Sequence, residues 1–377
     1  MMTHFLLIRC LIYFLTFLIL IPAPVVFANK WKLALPGYKY DFPNEHRSHP
    51  NFKIEWWYFS GNVKDESGNK YSFMLTFFRR GLRLEKKSEV NRSRWALNNL
   101  YFSHFSVYSA KKNKHYFSEK FSRGALGQAG ASTEKFKVWI DDWKAEIEDQ
   151  EQTNKILIFA KQDKLYLDFK LEPQKNPVIH GTNGISQKSA GVGQASHYYS
   201  YTRLKVNGSL SIEGERISVN GSAWMDHEFG SNQLGKEQIG WDWFSIQLSN
   251  NTELMLYLMR NKSGSYDLTS SGSLILGDGS VIHLSLYDFT IKNKNFWKSK
   301  KSKALYPVEW VIEVPKYNIN LKIKALHEKQ ELDTTKSTQI IYWEGGINVE
   351  GFSQGVSVNG VGFVEMTGYA KYGRPKF

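Results

Sequence analysis

Two aromatic signatures occur twice in this chain, in the same order, and that repetition constrains the fold more than any other feature. Trp56-Trp57-Tyr58-Phe59-Ser60 followed by Leu75-Thr76-Phe77-Phe78-Arg79 is echoed by Trp241-Asp242-Trp243-Phe244-Ser245 followed by Leu256-Tyr257-Leu258-Met259-Arg260. Val206-Asn207-Gly208 with Ser218 to Asp226 is echoed in turn by Val349-Glu350-Gly351 with Ser357 to Glu365. Each first signature reads as an opening β-hairpin and each second as closing strands. Residues 56–226 and 241–365 are therefore expected to be two copies of one unit, with the boundary near Gly230 to Gly240. Aromatic residues, 15% of the chain, fall in short alternating runs between Gly, Asn, Asp, Ser and Lys, which is the pattern of strands. A sheet of about eight antiparallel strands loses its exposed edges by closing, and a barrel of that size has room for one small ligand. The expected fold class is all-β, with two tandem antiparallel β-barrels and short helices only near Asn29 to Leu35 and Arg92 to Asn98.

Residues 1–28 read as a cleaved signal peptide: Arg9, the apolar run Leu11 to Ile21, two prolines, then Val26-Phe27-Ala28 with small residues at −3 and −1. The expected organisation continues with an N-terminal barrel domain at 29–235, carrying a glycine-rich loop at 173–196, and a C-terminal barrel domain at 236–377. Export then implies a periplasmic or secreted protein. Cys10 is the only cysteine and lies within the signal, so disulfides, thiolate nucleophiles and cysteine metal sites are excluded from the rest of the chain. The net charge of +13 is scattered, which together with export argues against nucleic acid and suits residence near anionic lipid head groups. The 173–196 stretch is long enough to be a lid, with Lys188 and His197 at its edge.

The residues Glu55-Trp56-Trp57-Tyr58, Ser196-His197-Tyr198-Tyr199-Ser200 with Thr202-Arg203-Leu204, Gly221 to Gly230, and Gly240-Trp241-Asp242-Trp243-Phe244 carry a family resemblance. They resemble the two-barrel, lipocalin-like proteins related to carotenoid 1,2-hydratase (hydroxyneurosporene synthase), in the exported branch labelled predicted secreted hydrolases. The resemblance implies two calycin-type barrels acting on an extended apolar molecule, by hydration of a polyene double bond or by ring-forming steps. Fold transfers well along such a resemblance and reaction poorly.

Hydration of an alkene needs a proton donor held neutral near pH 7 by an apolar setting, and aromatic faces to steady the cation that forms. Asp226, with His227 and Glu228 to orient it and manage water, meets that description beside Trp224, Trp241 and Trp243. Alternation puts Trp224, Asp226 and Glu228 on one strand face and Met225 and His227 on the other. Tyr198, Tyr199, Trp57 and His104 are further candidate ligand contacts, although strand aromatics and a wall histidine are as readily core. Two further acids are expected to be structural: turns centred near Ser67 and Asn251 set Glu55 across from Arg79 and Asp242 across from Arg260, where an arginine lowers a buried carboxyl's pKa. No metal is expected, since His-x-His and His-Glu-x-x-His spacings are absent, and no Gly-x-Ser-x-Gly elbow supports a serine nucleophile. The expected function is a cofactor-free hydratase for an extended polyene or lipid-like molecule, and the alternative is a non-catalytic periplasmic carrier of such a ligand.

Overall fold

The computed structural model describes residues 30–84, 97–149 and 153–371. The signal peptide expected at 1–28 and most of the helix expected at 92–98 lie outside them, and residues 30–35 run without a helix. The first sheet contains β1 (Ile54–Lys64), β2 (Lys70–Gly81), β3 (Asn99–Ser109), β4 (Lys114–Ser122), β5 (Ala129–Ala131), β6 (Lys137–Ile140), β7 (Trp143–Asp149), β8 (Thr153–Gln162), β9 (Leu165–Pro173), β10 (Val178–Ile179), β11 (Ser186–Gln187), β12 (Ala195–Ile212) and β13 (Glu215–Asn232). The second contains β14 (Gln238–Leu248), β15 (Glu253–Asn261), β16 (Ser271–Ile275), β17 (Val281–Ser285), β18 (Thr290–Asn293), β21 (Glu309–Val314), β22 (Ile319–Ala325), β23 (Glu331–Thr334), β24 (Ile340–Ser353) and β25 (Val356–Met366), while β19 (Phe296–Lys298) and β20 (Leu305–Pro307) pair with each other.

Both sheets are antiparallel and share one strand order. The first runs β4-β3-β2-β1-β13-β12-β9-β8-β7-β6-β5 and the second β17-β16-β15-β14-β25-β24-β22-β21-β18, so β14 takes the place of β1, β25 that of β13 and β24 that of β12. With thirteen and ten strands the sheets exceed the eight expected for each half, the surplus being short pieces such as β5, β10, β11 and β23. Each sheet curls into a barrel. In the first, Phe105 of β3 meets Trp143 of β7 edge to face at 5.6 Å, and Lys120 of β4 reaches Asp142 at 2.6 Å.

The barrels are filled. Trp57, Phe59, Phe73, Phe105, Trp143 and Phe169 lie in the first core, and Phe244, Trp310, Trp343 and Ile347 in the second. The expectation of a ligand inside a barrel is corrected accordingly: large side chains occupy that space. A third buried cluster, including Tyr58, Met74, Tyr198, Trp224, Trp243 and Phe363, lies outside both barrels where they meet. Along β1 and β14 one residue points into its own barrel and the next toward the other barrel, which is why these strands are apolar on both faces.

Candidate active site between the barrels

The outward faces of β1, β13, β14 and β25 enclose a cleft lined mainly by apolar and aromatic side chains on which a few polar groups converge, the composition of small-molecule sites. Trp56, Tyr58, Phe78, Tyr198, Trp241 and Trp243 supply aromatic walls, and four carboxyl groups face it: Asp226 and Glu228 from β13, Glu344 from β24 and Glu365 from β25.

Asp226 is buried, and among the described residues no lysine or arginine forms an ion pair with it. Its Oδ1 accepts hydrogen bonds from Ser200 Oγ and, at 2.6 Å, from Trp224 Nε1. That leaves Oδ2 to carry the proton of the neutral acid. Burial pushes its pKa up to about 7, over the opposing pull of Ser200, Trp224 and Tyr198 and with help from the neighbouring Glu228. Because the Ser200 hydroxyl proton goes to Asp226, His180 Nε2, 2.7 Å from Ser200 Oγ, must be the donor between those two. His180 Nδ1 then accepts from Ser273 Oγ at 2.9 Å, so a buried chain of polar groups runs from Asp226 on one barrel to β16 on the other. Burial holds His180 at about 3, hence neutral.

Glu228 differs from Asp226 in having a cation: Lys188 Nζ lies 3.4 Å away and sits over the rings of Tyr198 at 4.8 Å and Tyr257 at 4.4 Å. Burial still outweighs Lys188 and raises the Glu228 pKa. Lys188 belongs to the glycine-rich 173–196 segment, but the lid reading of that segment is corrected. Through β10 and β11 it is hydrogen-bonded onto β12, and it delivers both Lys188 and His180 to the site.

Several candidates from the sequence sit elsewhere. His227 faces the interior of the first barrel, on the opposite side of β13 from Asp226, so its pairing with that acid is corrected. Its Nε2 donates to Glu55 Oε1 at 3.0 Å, its Nδ1 accepts from Tyr199 at 2.9 Å, and its ring stacks on Trp57. Tyr199 and Trp57 are therefore core residues of that barrel and not cleft contacts. Trp224 braces Asp226 from behind. His104 does line the cleft, where burial lowers it to about 3 and its Nδ1 lies 2.8 Å from the Tyr342 hydroxyl.

Both acid–arginine pairs form. Glu55 stands opposite Arg79 in the ladder and is bonded to Arg79 Nε at 3.0 Å; desolvation is overcome by Arg79, His227 and His49, which hold it well below the usual carboxylate range. Asp242 pairs with Leu258 in the ladder and meets Arg260 diagonally at 3.0 Å, because the shorter turn shifts that register by two residues. There burial wins over Arg260 and the pKa rises, which corrects the expected direction. His49, Glu55 and His227 bring three ligand-type atoms within 4.8 Å of one another, but both Glu55 oxygens already accept from Ser48, the His49 amide and Arg79, the pattern of a structural network. Ser200, His180 and Glu344 were not among the sequence candidates. Ser200 and Glu344 share strand faces with Tyr198 and Tyr342, a signal alternation could have used, whereas His180 lies in irregular chain where no such rule applies.

A family model described as AttH-like matches residues 33–369. A crystal structure described as an AttH from Nitrosomonas europaea is similar at a TM-score of 0.80 and 29% identity, covering 90% of this chain and 100% of that one. Kievitone hydratase from Nectria haematococca is similar in fold, at a TM-score of 0.67 and 15% identity over 91% of this chain and 95% of that one. The dehydratase asqC of Emericella nidulans is 20% identical over 200 residues, 50% of this chain, and the match spans 54% of that relative's length.

Proposed function

This chain belongs to the AttH-like family, and from that premise we propose that it adds water to, or removes it from, a carbon–carbon bond of an extended apolar molecule of polyene or lipid type held between the two barrels. The observation that carries the reading is Asp226: a buried acid facing an aromatic-walled cleft, without an ion-pair partner among the described residues and with its pKa pushed up to about 7. A carboxyl of that kind can protonate an alkene and, in reverse, take a proton from beside a developing cation. Trp241, Trp243 and Tyr198 offer faces that steady the cation. The hydratase and dehydratase among the similar proteins are consistent with this chemistry. On the amino-terminal signal read in the sequence, we place it outside the cytoplasm, with the basic surface favouring residence near anionic lipid.

The test is turnover of squalene and of tertiary polyene alcohols in water labelled with heavy oxygen, read by mass spectrometry. Wild-type protein is expected to give products differing from substrate by one water, and Asp226→Asn to slow this by roughly 10²–10⁴-fold. Tight binding with no mass change would identify a carrier. Undiminished turnover by Asp226→Asn would remove Asp226 from the chemistry.

A further inference from the structure

The two halves place their acids alike. Asp226 pairs across the first sheet with Tyr58 and Ser200, and Glu365 pairs across the second with Trp243 and Glu344. Glu365 thus occupies the place of Asp226, Trp243 that of Tyr58, and Glu344 that of Ser200. Where the first half supports its acid with a neutral hydroxyl, the second supports it with another carboxyl. Two carboxyls facing each other across a ladder in a poorly solvated cleft hold a proton between them, because both charges cannot form together. Among the described residues neither has an ion-pair partner. Glu344 is buried and accepts from the Tyr58 hydroxyl, while Glu365 is partly open to the cleft and accepts from Trp241 Nε1 at 3.3 Å.

We propose that Glu365, positioned by Glu344, is the second catalytic carboxyl of the cleft and takes the proton of the attacking water while Asp226 protonates the alkene. The inference rests on the hydratase reading above. In the addition step the Asp226 O–H bond breaks and its proton joins one alkene carbon, using the π electron pair. A water oxygen then bonds to the other, cationic carbon as one of its O–H bonds breaks toward the Glu365 carboxylate. The product is the alcohol, Asp226 is left ionised and Glu365 protonated, and return of one proton from Glu365 to Asp226 through cleft water resets the site. Dehydration runs the same steps backward with the roles exchanged. The opposite barrels supply the two groups, and their mutual influence is visible in the Glu365 pKa: burial first, then Asp226 and Glu228, raise it to about 7 against the pull of Trp241. Burial and the adjacent Glu365 raise Glu344 well above the ordinary range, so the ionised member of the pair is Glu365.

The experiment follows squalene with the full chain in water carrying both deuterium and heavy oxygen, comparing wild type, Asp226→Asn, Glu365→Gln, Glu365→Asp and Glu344→Gln, each checked for cooperative thermal unfolding with a midpoint no lower than that of wild type. Glu365→Gln is expected to lose heavy-oxygen incorporation by roughly 10²–10⁴-fold while deuterium exchange into the alkene, which requires Asp226 alone, stays within about tenfold of wild type. Glu365→Asp should recover part of the lost incorporation, and Asp226→Asn should lose both labels. Glu344→Gln replaces one neutral neighbour by another, so carbon NMR of the glutamate carboxyls should show the Glu365 midpoint close to its wild-type value. The proposal is overturned if Glu365→Gln hydrates within about tenfold of wild type, or loses both labels together, or if Glu344→Gln moves the Glu365 midpoint down, as an ionised Glu344 would require. Hydration that survives in Glu365→Gln but not in Asp226→Asn leaves the parent reading standing without this one. A wild type that incorporates neither label brings both down.

Discussion

Asp226 keeps its proton because folding takes it out of water, and that has a cost that depends on pH. Its ordinary pKa of 3.8 rises to about 7 in the folded protein. Below about pH 4 the folded and unfolded chains both carry the proton, and stability is highest with respect to this group. As pH rises from there the unfolded chain releases the proton and the folded one retains it, so stability falls until the folded acid ionises near 7 and then levels off. Asp226→Asn removes that dependence. It is expected to be more stable than wild type by roughly 2–4 kcal/mol near pH 8 and equal to it near pH 3, as read from urea unfolding at the two pH values. An equal difference at both would mean that the carboxyl ionises in the folded state as readily as in water. Strand alternation was enough to place Trp224, Asp226 and Glu228 together and His227 apart. Adjacency in sequence suggested the Asp226–His227 partnership, which alternation itself contradicts: neighbours on a strand face opposite ways. The true support of Asp226 comes from Ser200 and His180, far away in the chain and brought close only by pairing of β12 with β13 and of β10 with β12.

At the scale of elements, the β1–β2 hairpin shows what turn arithmetic can recover. Glu55 pairs with Arg79 as a turn centred on Ser67 requires, and Arg79 also donates to the Phe52 carbonyl at 2.8 Å. Both side chains are buried at the base of the first barrel, so removing the guanidinium strands a carboxylate that His49 and His227 can only partly compensate. Arg79→Ala is expected to lose about 3–5 kcal/mol in denaturant unfolding, and adding Glu55→Gln to recover part of it. A loss below about 1 kcal/mol would show that the histidines suffice to hold Glu55. The second hairpin slipped by two residues from its expected register because the turn at Asn250 is one position earlier than the arithmetic placed it. Two other boundaries were not legible for identifiable reasons. The run from Phe136 to Ile147 has the residue pattern of a single strand, but Asp141 adopts a φ of 53° and turns the chain between β6 and β7. Strand β4 carries no apolar alternation that would mark it in the sequence, because it is an edge strand of mixed charged and aromatic residues with no fully buried position.

The whole molecule is organised by reciprocal contacts between equivalent residues of the two barrels. Asn62 Nδ2 of β1 donates to the Gly362 carbonyl of β25 at 3.0 Å, and Gln247 Nε2 of β14 donates to the Ala223 carbonyl of β13 at 2.8 Å; each pair holds the same place in its own half. Tyr58 and Trp243, also equivalent, meet edge to face at 5.3 Å, and each donates across the interface, Tyr58 to Glu344 and Trp243 to Tyr198. The sequence repeat marked these residues as counterparts without revealing that they touch. A strand with both faces apolar says which residues share a face but not which face looks into its own barrel, so the cleft was sought inside a barrel when it lies between two. The barrels also approach closely at Gly346, where a Cβ would stand 2.6 Å from Ser72 Cβ and 2.8 Å from Asn62 Oδ1. Gly346→Val must push β24 away from β1 and β2, at about 1–3 kcal/mol of overpacking, and would disturb the Asn62 bond at once. The expected result is retained strand content by circular dichroism, a lower midpoint of thermal unfolding, and a loss of both squalene binding and turnover. Wild-type binding and turnover in Gly346→Val would mean that the docking of the barrels does not set the cleft, and the reciprocal contacts would then be packing with no bearing on the chemistry.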